Sequence, residues 1–273
     1  MSEFEFYASV DELSPDNLQQ IIDDDINKSF HSSPQWSVKK LILELKQKGI
    51  KSYIVGGAVR DWLNGKSSRD IDISVDCNAE QALALLKVNF DKHIPIDAQM
   101  HFGHICIEGD IASIDVNVLR DSADITRGFY TSTFKGGASL IEDANTRDFS
   151  FNSFYYDPQA NSIFSPFGCA YDDLMKKQIN IVSDPKTLAA DFCLCIRIIL
   201  FMSRGYIANG YVLSLLEHKL EKDILEYAEF GIWLKHFCPT DPAQYKIFKN
   251  LLLTHIHSRP AIDKVNSWLG LQA

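Results

Sequence analysis

Asp70 and Asp72 stand one residue apart in Asp70-Ile-Asp72-Ile-Ser74-Val-Asp76, where polar and branched apolar residues alternate. A period of two predicts a strand that sends Ile71, Ile73 and Val75 to one face and the acids to the other. Two carboxylates about 4 Å apart repel by roughly 4 kcal/mol at an effective dielectric near 20, so at neutral pH the pair calls for a cation or a shared proton. Oxygen ligands completed by a substrate's phosphates suit magnesium. A solvated edge strand with its polar residues outward would read the same way. What precedes the pair favours the site. Residues 53–55 read as a buried strand, Gly56-Gly57 as a tight turn that lets a ligand approach the backbone, and residues 58–64 as a short helix stopped by Asn64-Gly65. Such a helix start aims unpaired N–H groups at an anion over the glycines, with Arg60 adding charge.

The surrounding elements must hold these groups in place. Residues 38–48 predict an amphipathic helix with Val38, Leu41, Ile42 and Leu45 on one side and Gly49 as its stop, and residues 79–87 predict another. Residues 104–120 read as strand, turn and strand. In the second strand Ala112, Ile114, Val116 and Val118 share a face, so Asp115 points the other way. If both strands turn their apolar faces to the same helices, Asp115 joins Asp70 and Asp72 on one sheet face. His101 and His104, three apart, suit either a metal or rim packing, and no third ligand matches them. Residues 121–140 are polar, include Lys135-Gly-Gly137 and read as a long loop. On a helix, Asp148 and Asn152 would share a face while Phe149, Phe151 and Phe154 pack elsewhere. A helix is predicted from Asp184-Pro185 to about Arg204, and further helices follow, anchored by Leu213, Leu216, Leu220, Ile232, Trp233, Leu251 and Trp268.

Composition bounds the answer. A chain of 273 residues with 46% apolar content suits one large or two small domains. No apolar run reaches membrane-spanning length, since residues 192–202 are broken by Arg197. The acidic N-terminus lacks the basic-then-apolar pattern of a secretory signal. The six cysteines contain no Cys-x-x-Cys pair and read as mostly buried, reduced thiols, so a cytoplasmic protein is expected. A net charge of −9 speaks against a generic nucleic-acid binder, and neither DNA nor a membrane is an expected partner. Residues 1–30 hold eight of the acids and one base, which leaves the rest nearly neutral. Residues 1–36 accordingly read as an acidic extension, residues 37–160 as the domain that carries the paired acids and residues 161–273 as a helical remainder.

The run Gly56-Gly57-Ala-Val-Arg60-Asp61 followed by Asp70-Ile-Asp72 resembles the signature of the class II tRNA nucleotidyltransferases and bacterial poly(A) polymerases, in the DNA polymerase β superfamily. The resemblance implies an α+β fold, a nucleotidyltransferase head with a small mixed or antiparallel sheet flanked by helices, followed by an all-helical neck and shortened body. It implies that Asp70 and Asp72, with Asp115, hold two catalytic magnesium ions. Gly56, Gly57, Arg60 and Asp61 would cradle the incoming nucleotide, ATP or CTP. Thr146-Arg147-Asp148 through Asn152 resembles the family's Arg-Arg-Asp-x-x-x-Asn element, which places Arg147, Asp148 and Asn152 at the ribose. In the neck, Asp191 matches the acid of the family's Glu-Asp-x-x-Arg base template, and Arg197 matches a later arginine. Thr146, Ala190 and Leu194 depart from the pattern. Leucine offers only apolar contact where an arginine fork would read a base edge, so altered base selection is expected. The expected reaction is transfer of a nucleoside monophosphate to an acceptor, foremost an RNA 3′ end. The other reading is an impaired relative that serves as a nucleotide- or RNA-binding or protein-interaction module.

Overall fold

The computed structural model describes residues 4–32, 35–68, 70–94, 103–121, 125–126, 129–130 and 137–270. Arg69, His101, Phe102, Lys135 and most of the expected 121–140 loop lie outside the described residues.

The chain starts with β1 (Phe6–Ser9), α1 (Leu18–Asn27), the hairpin β2 (Ser29–Ser32) and β3 (Gln35–Ser37), and α2 (Val38–Gln47). Next come β4 (Ser52–Val55), α3 (Gly57–Leu63), β5 (Asp72–Val75), α4 (Ala79–Phe90), β6 (His104–Glu108) and β7 (Ser113–Val118). The short β8 (Ile125–Thr126) and β9 (Phe129–Tyr130), α5 (Leu140–Ala144), β10 (Tyr155–Asp157), β11 (Ser162–Ser165), α6 (Ala170–Met175) and β12 (Gln178–Ile179) follow. The remainder is helical apart from β13 (Ile207–Ala208): α7 (Pro185–Ala190), α8 (Leu194–Ser203), α9 (Gly210–Glu226), α10 (Phe230–Phe237), α11 (Pro242–Thr254) and α12 (Arg259–Trp268).

Among the described residues a seven-stranded sheet runs in the order β1-β11-β10-β4-β5-β7-β6. Its neighbours are antiparallel except β5 and β7, which are parallel, so the sheet is mixed, as expected. Ile54, Ile73, Ile105 and Val116 are fully buried on the helix-covered face, against which α2, α3 and α4 pack. Tyr53, Val55, Ala144, Tyr155 and Phe164 form a smaller cluster on the other. The C-terminal helices carry their own apolar interior, including Leu216, Leu220, Phe230, Leu234, Phe248 and Leu252.

Residues 1–36 are not an extension. β1 pairs with β11 as the edge of the central sheet, Phe6 opposite Ser165, and α1 buries Leu18, Ile22 and Ile26 in the core. The head likewise continues past residue 160, because β11 belongs to the same sheet. The acid triplet Asp23-Asp24-Asp25, which reads as solvated, splits: Asp25 is 1% exposed. Its carboxylate accepts hydrogen bonds from Trp62 Nε1 at 2.7 Å, Ser68 N at 2.7 Å, Ser67 Oγ at 2.6 Å and Lys28 Nζ at 2.6 Å. Burial raises its pKa, but those donors outweigh burial and hold it below the usual carboxylate value. Ser68 Oγ in turn donates to the Asp70 carbonyl at 2.8 Å, so Asp25 fastens the segment that delivers the first of the paired acids.

A depressed pKa gives stability that is present above the unfolded value near 4 and lost as pH falls through the folded one. Asp25→Asn should therefore cost about 2–3 kcal/mol at pH 7 through unmet buried donors, with the deficit shrinking toward pH 3. Urea unfolding at both pH values measures it. Equal stability of the two proteins at pH 7 would show that the carboxylate is dispensable.

Two helical expectations also change. The neck is broken between α7 and α8, because Asp191 Oδ1 accepts from Cys193 N at 2.8 Å and turns the chain there. In α10, Ile232 is 68% and Trp233 40% exposed, so neither anchors the body; Phe230, Gly231 and Leu234 do. Among the six free cysteines Cys195 alone is buried, and Cys169 is exposed. No helix of the described residues is long and apolar enough to cross a membrane.

Candidate active site

The sheet register builds the acidic centre. Asp72 opens β5 and is flanked by Val55 on antiparallel β4 and by Asp115 on parallel β7. Residues paired across neighbouring strands share a face, so the two carboxylates stand side by side on the face opposite Ile73 and Val116. Burial first, then the charges of Asp70 and Asp115, push the Asp72 carboxyl up to about 6. Asp70 is exposed just before the strand, and its pKa is raised by partial burial and by Asp115. The three acids are thus electrostatically one group. Asp115 also faces His104, whose Nε2 lies 3.5 Å from Oδ1, and it is bonded to the Cys106 thiol. The histidine considered as a metal partner of His101 meets the acid cluster instead.

A cavity of about 580 Å³ opens beside Asp72. That is within the size of small-molecule sites, roughly 300–1,000 Å³. Its wall contains Gly56, Gly57, Arg60, Asp72, Arg147, Asp148, Asn152, Asp191 and Arg197, which are nine of the twelve residues that the sequence singled out. Asp70, Asp115 and Asp61 are not among the lining residues. Asp61 acts through Arg60, whose Nη2 and Nε donate to Asp61 Oδ1 at 2.8 and 3.0 Å while Nη1 donates to Asn152 Oδ1 at 2.7 Å.

Asp148 and Asn152 do come together, yet not on an α-helix. A 3₁₀ turn over Ser150–Asn152 brings Asn152 Nδ2 to 3.1 Å from Asp148 Oδ1, while Phe149, Phe151 and Phe154 enter the core. Asp148 also receives Arg197 Nη2 at 2.7 Å, which ties the neck helix α8 to the head. Asp191 lines the cavity, with its pKa raised by burial against the opposing pull of Arg197. Ala190 and Leu194 are 8% and 0% exposed and do not reach the wall.

Arg147 is held under the glycine turn. Its Nη2 donates to Asp143 Oδ2 at 2.8 Å and its Nε to Tyr155 Oη at 3.1 Å, and Tyr155 Oη donates to Asp143 Oδ2 at 2.6 Å. Burial works against its charge, but Tyr155 and Asp143 more than offset that and raise its pKa, so it is a fixed cation. Burial pushes the Tyr155 phenol well up, which keeps it a proton donor. Asp143, 3% exposed, also accepts from Arg120 N at 3.0 Å. Sequence reading passed over Asp143, although its place four residues before Arg147 was available as a signal. It also passed over Asn117, bonded to Arg120 Nη2, and Phe237 on α10, and it took Trp233 for a body anchor where the structure has it lining the cavity. Nothing local distinguished these.

Gly56 explains the turn. It has φ 70° and ψ −124°, a region for glycine alone, and a Cβ there would lie 3.3 Å from Arg147 Nη1. Gly56→Ala is expected to cost about 1–3 kcal/mol in backbone strain and to displace the guanidinium. Thermal unfolding and titration with a nucleoside triphosphate, both against wild type, measure the two effects; an unshifted midpoint would rule out strain at this position.

The donor set fits a hard divalent cation: carboxylate oxygens, with burial and then the neighbouring acids raising the pKa of Asp70 and Asp72. Among the described residues no group of three or more His, Cys, Asp or Glu side chains is placed to hold a metal ion by itself. An open site completed by substrate oxygens is what magnesium generally uses.

Residues 52–180 match the poly A polymerase head domain. Poly(A) polymerase I of Haemophilus influenzae is 27% identical over 156 residues, covering 54% of this chain and 33% of that protein. The CC-adding tRNA nucleotidyltransferase of Shouchella clausii is 28% identical over 164 residues, 60% of this chain and 37% of that protein. The chain thus spans about a third of the length of the curated relatives it matches. Among solved structures, the Bacillus stearothermophilus CCA-adding enzyme in complex with CTP superposes with a TM-score of 0.55 at 23% identity, covering 76% of this chain and 49% of that one. In fold the chain resembles the CCA-adding enzymes, a mixed sheet with helices followed by a helical part, and its residues 52–180 are similar to the poly A polymerase head domain, as they are to poly(A) polymerase I and the CCA-adding enzymes.

Proposed function

We propose that this chain is a magnesium-dependent nucleotidyltransferase that moves a nucleoside monophosphate from a nucleoside triphosphate to an acceptor hydroxyl, foremost an RNA 3′ end. The observation that carries the reading is the parallel register of Asp72 with Asp115, beside a cavity that also holds the Gly56-Gly57 turn and a fixed arginine. The relatives' names supply the reaction class, and the CTP complex of a structural neighbour supports a nucleotide as the cavity's ligand.

Asp70, Asp72 and Asp115 would hold two magnesium ions. When bound, these supply Lewis acidity: a more acidic acceptor hydroxyl and charge neutralisation on the leaving group. The acceptor oxygen forms a bond to the α-phosphorus, the bond from that phosphorus to the β-phosphate oxygen breaks, pyrophosphate leaves, and the hydroxyl proton passes to solvent. The chain's own residues position and compensate charge. The Gly56-Gly57 backbone and Arg147 favour the triphosphate, Asp148 and Asn152 face the ribose hydroxyls, and Arg60 keeps Asn152 oriented.

The test is transfer of label from α-labelled ATP or CTP to a mixed RNA pool, with an Asp70→Asn/Asp72→Asn double variant as control. Label on RNA from wild type alone is expected; equal labelling by the double variant would sink the metal assignment. Ala190 and Leu194, shut away from the cavity, favour a second reading as a nucleotide-binding module. That reading expects magnesium-dependent nucleotide binding without transfer to RNA, protein or small molecules.

A further inference from the structure

The cavity lining combines polar groups, with the glycine turn, Asp72 and Arg147, and aromatic ones from α10, Trp233 and Phe237. We propose that the indole of Trp233 is the stacking platform for the base of the incoming nucleotide, so that this chain selects bases by their faces and not by a template of edge hydrogen bonds. The proposal rests on the reading of the cavity as a nucleotide site.

Three observations converge on it. First, Trp233 is 40% exposed on a cavity wall, and its plane is set by its neighbours: it stacks on Phe237 with centroids 6.0 Å apart at 27° and meets His236 edge-on at 5.5 Å. Second, α10 is held in register by Gly231, where a Cβ would come within 2.6 Å of the Trp268 indole of α12. Phe230, Gly231 and Leu234 take the buried side, which leaves Trp233 to the cavity. Third, the groups that would read base edges are already engaged. Arg197 is paired with Asp148 and lies over the Phe237 ring at 5.9 Å, Asp191 accepts from Cys193 N, and Ala190 and Leu194 are buried. An aromatic face needs none of them. Every base has a π face, and a purine covers more of an indole than a pyrimidine does.

Calorimetric titration of the full chain with ATP, CTP and base-free ribose 5-triphosphate, in magnesium and without acceptor, tests this. Stacking on an aromatic side chain is worth about 1–3 kcal/mol per base, so Trp233→Ala is expected to weaken ATP binding about 5- to 150-fold. Ribose 5-triphosphate should bind both proteins alike, Trp233→Phe should recover most of the ATP affinity, and the wild-type preference for ATP over CTP should shrink in Trp233→Ala. Unchanged ATP affinity in Trp233→Ala would overturn the platform while leaving the nucleotide site standing, as would an equal loss for ribose 5-triphosphate, which would mark a change in fold. Weakened binding of an RNA oligonucleotide with intact ATP affinity would assign the ring to the acceptor and overturn the proposal. Failure of wild type to bind any of the three would remove the site reading and the platform together.

Discussion

Asp72→Asn should reduce nucleotide transfer about 10³-fold and, in metal-free buffer at pH 8, make the protein more stable than wild type. The loss follows from the position of Asp72 at the centre of the acid group: without its charge about 4 kcal/mol of metal-borne transition-state stabilisation goes, at 1.36 kcal/mol per decade. The gain in stability comes from the same physics. The Asp72 carboxyl titrates at about 6 in the folded protein against 3.8 ordinarily, because burial, Asp70 and Asp115 all disfavour its charge. Between those values the native state holds a proton that the unfolded chain has released. Stability from this group is therefore full below about pH 4 and is lost as pH rises through 6. A shift of this size corresponds to at most about 3 kcal/mol, reduced by the group's partial access to water.

The asparagine variant has no such slope. Its advantage should be near zero at pH 4 and reach about 1–2 kcal/mol at pH 8. Magnesium should reverse the order at pH 8 by binding the ionised wild-type site, and should do much less at pH 5, where Asp72 is protonated. Wild-type transfer should fall below pH 6 for the same reason. Differential scanning calorimetry at pH 4, 5 and 8, with and without magnesium, reads every arm. A variant less stable than wild type in metal-free buffer at pH 8 would show that the carboxylates do not repel one another.

Arg147→Met is expected to be the most destabilising single change at the site, by about 3–5 kcal/mol. The side chain it removes is the cation of a buried cluster, and Asp143, 3% exposed, is left among the described residues with Tyr155 Oη and Arg120 N as donors and no cation from Arg147. Arg147→Lys should restore only part of the loss, because one ammonium cannot reproduce a planar fork that reaches Asp143 and Tyr155 together while lying under Gly56. The paired change Arg147→Met/Asp143→Leu should recover about 2 kcal/mol relative to Arg147→Met, since it removes the stranded charge. Urea unfolding of wild type, Arg147→Met, Asp143→Leu and the double variant closes the cycle. Additivity of the two single changes would mean that the ion pair carries no coupling. Nucleotide affinity should fall in all three variants, stable or not, because the cation beneath the turn is lost or displaced.

What could be read along the chain was whatever depends on neighbours in sequence. The alternation in residues 70–76 and 112–118 settled which face Asp72 and Asp115 take, and the glycine pair settled the turn. A period of two and a positive φ are local properties of the backbone. Partners far apart in the chain were decided only by the fold. Whether Asp72 and Asp115 meet depends on β5 and β7 being parallel neighbours, with β6 on the far side of β7, which no local pattern encodes. Asp25 looked like one more solvated acid until Trp62 and Ser68, some forty residues on, supplied its donors. Trp233 looked like core because an apolar ring on a helix carries no mark of what faces it. Burial is a property of the packed surroundings, and here they take Phe230 and Leu234 inward and leave the indole at the cavity.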